Sequence, residues 1–316
     1  MKNSRAHFQM VKRHNKKLIR NILRNSQTIG VSELTKETGL SYPTVANLIK
    51  ELIQDNEVIE VEETVSNGGR PAAQYRLNPE YKYGVVMNLS PKVIKYVVVD
   101  VLCNEVERGK FDVTDDKITP EDLISHVSYI KKKYDNLASL ALGIPGVAIE
   151  DDIRFLDLFP ELEGTKLSRR MREELGVRMV AENDSNAMAL AEIRGEESFA
   201  HIVYVGHCVG CGIVINGELF RGCDGYAGEI HPICEHLDDP VLAMVETIKF
   251  VTGVLNLKRV YISADCDINP VRVTGGLKKI FEKDMLPEIE FVKDADKVYI
   301  EGLIERLLII WREEIE

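Results

Sequence analysis

Between Ser41 and Lys50 the sequence sets hydroxyl, phenol, amide and ammonium groups among apolar residues: Ser-Tyr-Pro-Thr-Val-Ala-Asn-Leu-Ile-Lys. The amide of Asn47 can donate and accept at once, the chemistry needed to pair bidentately with adenine, and Lys50 supplies a point charge for a phosphate. Thr44 and Tyr42 can touch a thymine methyl or a phosphate, and Ser41 has the short hydroxyl that caps helix starts. Val45, Leu48, Ile49, Leu52 and Ile53 fall at i, i+3, i+4, i+7 and i+8, which predicts a helix with a buried apolar stripe and a free polar face. Pro43 suits the first turn, so the predicted start is near Tyr42.

Upstream, Ser32–Thr38 reads as a short helix with a capping-box start, halted by Gly39, and the Gly39-Leu40-Ser41 corner makes the pair a helix-turn-helix. Downstream, Val58-Ile59-Glu60-Val61 and Gln74-Tyr75-Arg76-Leu77 read as two strands around a loop containing Ser66-Asn67-Gly68-Gly69-Arg70-Pro71, a wing whose glycines permit positive φ. Gly-Arg-Pro resembles the core of minor-groove A·T hooks, and a guanidinium enters a narrow A·T groove at lower cost than an ammonium. Arg70 therefore either sits in that groove or meets a phosphate or an acidic neighbour such as Glu62. The unit reads as DNA-binding, against the alternative of a helical hairpin packed for stability alone.

The balance of charge restricts where such binding can occur. The 316 residues carry a net charge of −11, which would repel nucleic acid if it were spread evenly. Residues 1–80 instead hold 12 basic and 9 acidic groups, a balance of +3, and the remainder 28 basic against 42 acidic, −14. Binding must be local to the first domain. No apolar run approaches a membrane span and the N-terminus is basic and polar, so a cytoplasmic protein is expected. Six scattered cysteines suit reduced thiols better than a disulfide framework.

Residues 1–12 read as loosely ordered, followed by a helix from about His14 to Asn25 that braces the next two; the winged domain ends near Asn78-Pro79. From Tyr83 the pattern alternates: strands at Val85–Met87, Lys95–Val101 and near Val106 and Phe111, a helix from Pro120 to about Asn136, a strand at Ala138–Leu142, a helix at Leu167–Leu175, a strand at Arg178–Ala181 and a helix at Ala187–Ile193. His201–Val205 and Gly212–Ile215 pair around a glycine-containing loop. Such a βαβ series predicts a twisted sheet covered by helices, in two lobes with a cleft between them.

A Gly-Arg-Pro wing followed by Gly143-Ile144-Pro145-Gly146, Glu182-Asn183-Asp184-x-Asn186-Ala187 and Gly225-x-x-Gly228-Glu229-Ile230 resembles the ROK family of repressors and sugar kinases. The resemblance implies an α/β fold, with a winged helix-turn-helix over residues 1–80 and a two-lobed actin-like, sugar-kinase (ribonuclease H-like) domain over 81–316. The family's kinases carry a first phosphate loop Asp-x-Gly-Gly-Thr, where this chain has Asn88-Leu89-Ser90-Pro91-Lys92. Their second, Gly-Thr-Gly-x-Gly-x-Gly, is here Gly206-His207-Cys208-Val209-Gly210-Cys211-Gly212, and a Gly-Gly strand end is replaced by Tyr261–Cys266. Close backbone approach to phosphate needs glycine, so three departures together imply that phosphoryl transfer is lost and no nucleotide cofactor is held.

The family's sugar-facing groups match Asn183, Asp184 and Glu229, with His231 the match for its histidine although the intervening glycine is absent. Carboxylates and amides suit neighbouring hydroxyls because each shares several hydrogen bonds. The other reading of Asn183 and Asp184 is capping of the helix near Ala187. Leu158-Phe159-Pro160-Glu161-Leu162 keeps only the proline of Asn-Leu-Pro-x-Trp, so the ligand can differ from ordinary hexoses. The family's zinc motif is missing, and although Cys208, Cys211, Cys223, His231, Cys234 and His236 have metal-like spacing, no metal is expected. The resemblance thus implies a transcriptional regulator, a repressor, that binds operator DNA as a homodimer or dimer of dimers and takes a carbohydrate or sugar-phosphate effector. The alternatives are an active sugar kinase with atypical loops, or a DNA-binding dimer without effector.

Overall fold

The computed structural model describes residues 2–61, 73–149, 152–154, 158–234 and 237–313; Arg70 and its neighbouring Gly68, Gly69 and Pro71 lie outside the described residues, as does His236. The chain begins with α1 (Lys2–Asn25), where a loosely ordered start was expected. No glycine or proline interrupts Lys2–Lys17, so the helix runs unbroken, and Lys12 and Lys16 tie its middle turns to Glu51 at 2.7 and 3.2 Å. The short β1 (Ile29–Gly30) precedes α2 (Val31–Thr38) and α3 (Tyr42–Gln54), then β2 (Val58–Val61) and β3 (Gln74–Leu77). α2 starts one residue earlier than expected because the Glu33 carboxylate accepts the Gly30 N–H at 3.2 Å. Gly39 ends it with φ 68° and donates to Thr35 O. β1, β3 and β2 form an antiparallel sheet in that order. The three helices close on it through Ile19, Leu23, Leu34, Val45, Ile49 and Leu52, all essentially buried.

The next unit contains β4 (Tyr83–Leu89), β5 (Val93–Asp100), β6 (Glu105–Asp112), α4 (Pro120–Lys133), β7 (Leu137–Ile144), β8 (Val147–Ile149), β9 (Asp152–Arg154), α5 (Leu167–Leu175), β10 (Arg178–Asn183) and α6 (Asp184–Ala191). Its sheet runs β10-β7-β4-β5-β6, parallel from β10 to β4 and antiparallel beyond. The second lobe holds β11 (Phe199–Val205), β12 (Cys208–Ile215), β13 (Glu218–Leu219), α7 (His231–Cys234), α8 (Pro240–Leu255), β14 (Arg259–Ala264), α9 (Pro270–Leu277) and β15 (Glu288–Phe291), after which α10 (Ala295–Glu313) returns to the first sheet. Its sheet runs β13-β12-β11-β14-β15. The βαβ reading of two lobes holds, with one correction: Cys208–Gly212 is strand, and the loop between β11 and β12 is only Gly206-His207. Both residues have positive φ, 54° and 71°, the geometry of a type I′ hairpin turn.

α4 and α5 cover one face of the first sheet, α8 and α9 one face of the second. Between the lobes lie α6 and α10, which share a core with Val86, Val97, Val180 and Val203. A Cβ on Gly302 would fall 1.7 Å from Ala187 O, so glycine lets the two helix backbones touch. The β5–β6 turn serves as the joint to the N-terminal helices, since Val101 and Leu102 enter the core of that unit. The Asp100 carboxylate fixes the turn by accepting from the N–H groups of Leu102 and Asn104 at 2.8 and 2.9 Å and from Asn104 Nδ2 at 2.9 Å. Among the described residues no helix is long and apolar enough to cross a membrane.

Candidate functional site

Two parallel strands, β7 and β10, end side by side at Ile144 and Asn183, and the backbone after β10 turns at once into α6. The helix begins at Asp184, three residues before the expected start, because Asn183 caps it. Asn183 Oδ1 accepts from the N–H groups of Ser185 and Asn186 at 2.9 and 3.3 Å and from Ser185 Oγ at 2.6 Å. Its Nδ2 donates to Gly146 O at 2.9 Å, which ties the Gly-Ile-Pro-Gly turn to the helix start. Asn183 is therefore committed to the scaffold, with one amide hydrogen left over. Asp184 sits in the first turn, accepts the Ser185 N–H at 2.6 Å, and keeps part of its surface open. Protein surrounds the rest of it, and that desolvation raises its pKa against the pull of the backbone donors.

Glycines bring the second lobe onto this helix. A Cβ on Gly212 would lie 2.2 Å from Ser185 O and 2.6 Å from Ala189 Cβ, and one on Gly210 would lie 3.3 Å from Ser185 Oγ. β12 thus packs directly on the first turn of α6, and these glycines answer to strand–helix approach. The segment after β13 folds back on β12: Cys211 N–H donates to Gly228 O at 3.0 Å, and Gly228 has φ 92° with no room for a Cβ beside Cys211 O. That seat brings Glu229 near Asp184. Partial desolvation and then the Asp184 charge raise the Glu229 pKa, so the two carboxylates are close enough to repel each other. His231 opens α7, half-buried, and its Nδ1 is buried without a hydrogen-bond partner.

Three further residues complete the surroundings. Glu182, fully buried, accepts a bidentate pair from Arg221 at 2.9 and 2.5 Å and lies 3.2 Å from Arg306 Nε, which clasps the first lobe to the second and to α10. Tyr299 of α10 is so close to Gly143 that a Cβ there would meet its hydroxyl at 2.2 Å. Burial, then the charges of Asp184 and Glu182, push its pKa well up. Glu182 was legible as the first residue of Glu-Asn-Asp; Arg221 and Tyr299 had no sequence signal.

The segments expected to have lost phosphate binding sit at strand turns. Ser90-Pro91-Lys92 links β4 to β5, with Ser90 Oγ donating to Val93 O at 2.7 Å. At the β11–β12 turn the Gly206 N–H donates to the Asp265 carboxylate at 2.9 Å, so a fixed anion already occupies that amide. Cys208 is exposed and Cys211 buried, three residues apart on one strand, which separates that pair. Among the described residues no group of three or more His, Cys, Asp or Glu is placed to hold a metal.

On the N-terminal unit Ser41, Tyr42, Asn47 and Lys50 are exposed on one face of α3, with Thr44 half-exposed beside them. Ser41 Oγ caps the helix at Thr44 N (3.4 Å) and lies 2.8 Å from Thr44 Oγ1, so these two hydroxyls are engaged with each other, whereas neither Asn47 nor Lys50 forms a side-chain hydrogen bond or ion pair among the described residues.

Compared with known proteins, residues 92–237 match the model of the ROK family. The chain is 29% identical to a putative xylose repressor of Caldicellulosiruptor sp. over 73% of its length, spanning 61% of that relative. It is 30% identical to an N-acetyl-D-glucosamine kinase of Vibrio atlanticus over 43% of its length, spanning 51% of that protein. It also superimposes on the crystal structure of a ROK family transcriptional regulator, a homologue of the E. coli Mlc protein. There the TM-score is 0.67 and the identity 16%, with 95% of this chain and 97% of that chain covered.

Proposed function

With residues 92–237 this chain belongs to the ROK family, and from that premise we propose that it is a DNA-binding transcriptional regulator, a repressor, governed by a sugar. Its N-terminal residues up to about 80 serve as a winged helix-turn-helix, and the two-lobed remainder as sensor and dimerisation platform. The observation that carries this reading is the exposed polar face of α3, held on a unit that the Val101–Asn104 turn plugs into the ROK domain. Asn47 reads a base, Lys50 and Tyr42 meet the backbone, Ser41 and Thr44 orient the helix start, and Arg70 enters the flanking minor groove. One such unit covers too little DNA for tight specific binding, so the working form is a homodimer on a two-fold-related operator.

In the cleft, Asp184 and Glu229 accept from neighbouring hydroxyls of an uncharged sugar and His231 supplies a third polar contact, while Asn183 holds the helix that presents Asp184. A pentose such as xylose is the first probe, given the repressor relative. The domain binds without phosphoryl transfer: Asp265 occupies the Gly206 amide, and proline stands in the β4–β5 turn. The protein is cytoplasmic and holds no nucleotide or metal.

The test is footprinting on the DNA upstream of its own gene at one fixed salt concentration. Asn47→Ala costs about 1–3 kcal/mol and relaxes one base pair, whereas Lys50→Ala weakens all sequences alike. Equal losses on specific and random DNA for Asn47→Ala would overturn the assignment. Favouring a kinase instead is Asp184, whose raised pKa suits a proton acceptor; ADP formation over a sugar panel, abolished by Asp184→Asn, would establish that reading.

A further inference from the structure

At the joint between the N-terminal unit and the two-lobed domain lies a hollow of about 500 Å³. Its wall is made by Arg24 and Asn25 at the end of α1, by Arg76 on β3, and by Leu102 and Asn104 of the β5–β6 turn. In a chain of net charge −11 this wall contains, among the described residues, two guanidiniums and no carboxylate. Neither Arg24 nor Arg76 forms an ion pair among the described residues, unlike Arg20 one turn earlier, which is held by Glu57. The Arg24 Nε is buried without a partner. Burial acts against its charge, and so do Arg312 and Arg20 nearby, while Cys103 and Glu57 compensate only in part. A half-buried guanidinium whose Nε is shut off from water costs stability unless an anion comes to its open side.

The last turn of α1 directs unpaired carbonyls toward its end, which favours one cation there. That accounts for Arg24 alone. It does not account for Arg76, which approaches from a different element, nor for the amides and hydroxyls of Asn25, Gln27, Asn104, Ser26 and Thr28 around them. A planar fork on each of two sides with neutral donors between suits a tetrahedral dianion carrying a polyhydroxyl body, and the volume is that of a small-metabolite site.

We propose that the hollow between Arg24, Arg76 and Asn104 binds a phosphate monoester, a phosphorylated sugar or a free phosphate, at a site separate from the interlobe cleft. Occupied, it links α1 and β3 to the β5–β6 turn and so restrains the joint. The site does not depend on the role assigned to Asp184.

Isothermal titration of the full-length protein with inorganic phosphate, glucose 6-phosphate and glucose tests this. Glucose 6-phosphate binds with millimolar or better affinity. Arg76→Gln, a half-exposed residue outside the core, weakens it at least tenfold, as does Arg24→Gln, and Asp184→Asn leaves it unchanged. Equal affinity for inorganic phosphate makes the dianion the ligand, and tighter binding of the ester adds the sugar body; both support the site. Absence of binding at 10 mM ligand, on the order of the weakest useful affinity, overturns it. Binding that survives Arg76→Gln and falls with Asp184→Asn also overturns it, because the phosphate ester then occupies the cleft. If Arg24→Gln fails to fold, Arg76→Gln decides alone.

Discussion

Replacing Glu182 by Gln removes the charge on which two arginines converge and keeps the side-chain volume. Glu182 is 1% exposed as a side chain, Arg221 34% and Arg306 20%, and the contacts are 2.9, 2.5 and 3.2 Å. Burial opposes the Arg221 charge, and its hydrogen bonds to Glu182 more than offset that, holding its pKa above the usual value. A glutamine can still accept from one guanidinium, but its amide donors then face the other. Breaking a buried pair from one side costs about 3–5 kcal/mol. Because both arginines keep some water, the cost falls to or just below the bottom of that range, about 2–3 kcal/mol, which for a chain of this size lowers Tm by roughly 5 °C. Trp311, the one tryptophan, is buried in α10 and donates to Ser139 Oγ at 2.9 Å, so its fluorescence follows the lobe that the clasp holds. In a double-mutant cycle with Arg221→Gln, the coupling should exceed about 1 kcal/mol. A loss under about 0.5 kcal/mol for Glu182→Gln, or additivity in the cycle, would refute the clasp.

Other substitutions and conditions test other links. His201 is fully buried with Nε2 2.8 Å from Ser263 Oγ, and burial lowers its pKa from 6.5 to about 3. Its neutral form is native, so its contribution is complete above pH 6.5 and declines as pH falls toward 3. At pH 4.5 the loss is about 3 kcal/mol. His201→Gln should flatten the stability profile between pH 7 and 4.5, measured by urea unfolding, and an unchanged slope counts against the assignment. Gly212→Ala forces β12 off α6 at a cost of about 1–3 kcal/mol and weakens sugar binding, whereas Gly253→Ala, with open space around it on α8, gains about 0.5–1 kcal/mol; equal thermal shifts for the two would contradict the packing argument. If Asp184 faces the ligand, xylose at 100 times its dissociation constant adds about 2.7 kcal/mol of stability to the wild type, and Asp184→Asn removes most of it while the protein stays folded.

Much of this chain was legible because its signals are local. Ser41, Pro43 and the apolar spacing from Val45 to Leu52 place the start of α3 at Tyr42, since a cap and a 3.6-residue stripe are properties of a dozen neighbouring side chains. Strand and helix alternation from Tyr83 onward likewise conveyed two lobes. What the sequence could not settle is how a side chain divides its hydrogen bonds. Asn183 was matched to a sugar-facing asparagine, with capping as the other reading, and only the structure shows the turn at Gly146 taking its Nδ2 and α6 its Oδ1. Gly210 and Gly212 resembled remnants of a phosphate loop, and only the approach of β12 to Ser185 explains them as packing. The Glu182–Arg221–Arg306 clasp joins residues separated by up to 124 positions, and Tyr299 reaches Gly143 from the far end of the chain. Such pairs depend on which strands become neighbours and on the angle at which helices cross. Those are decided by burial summed over the whole molecule, and no window of adjacent residues contains them.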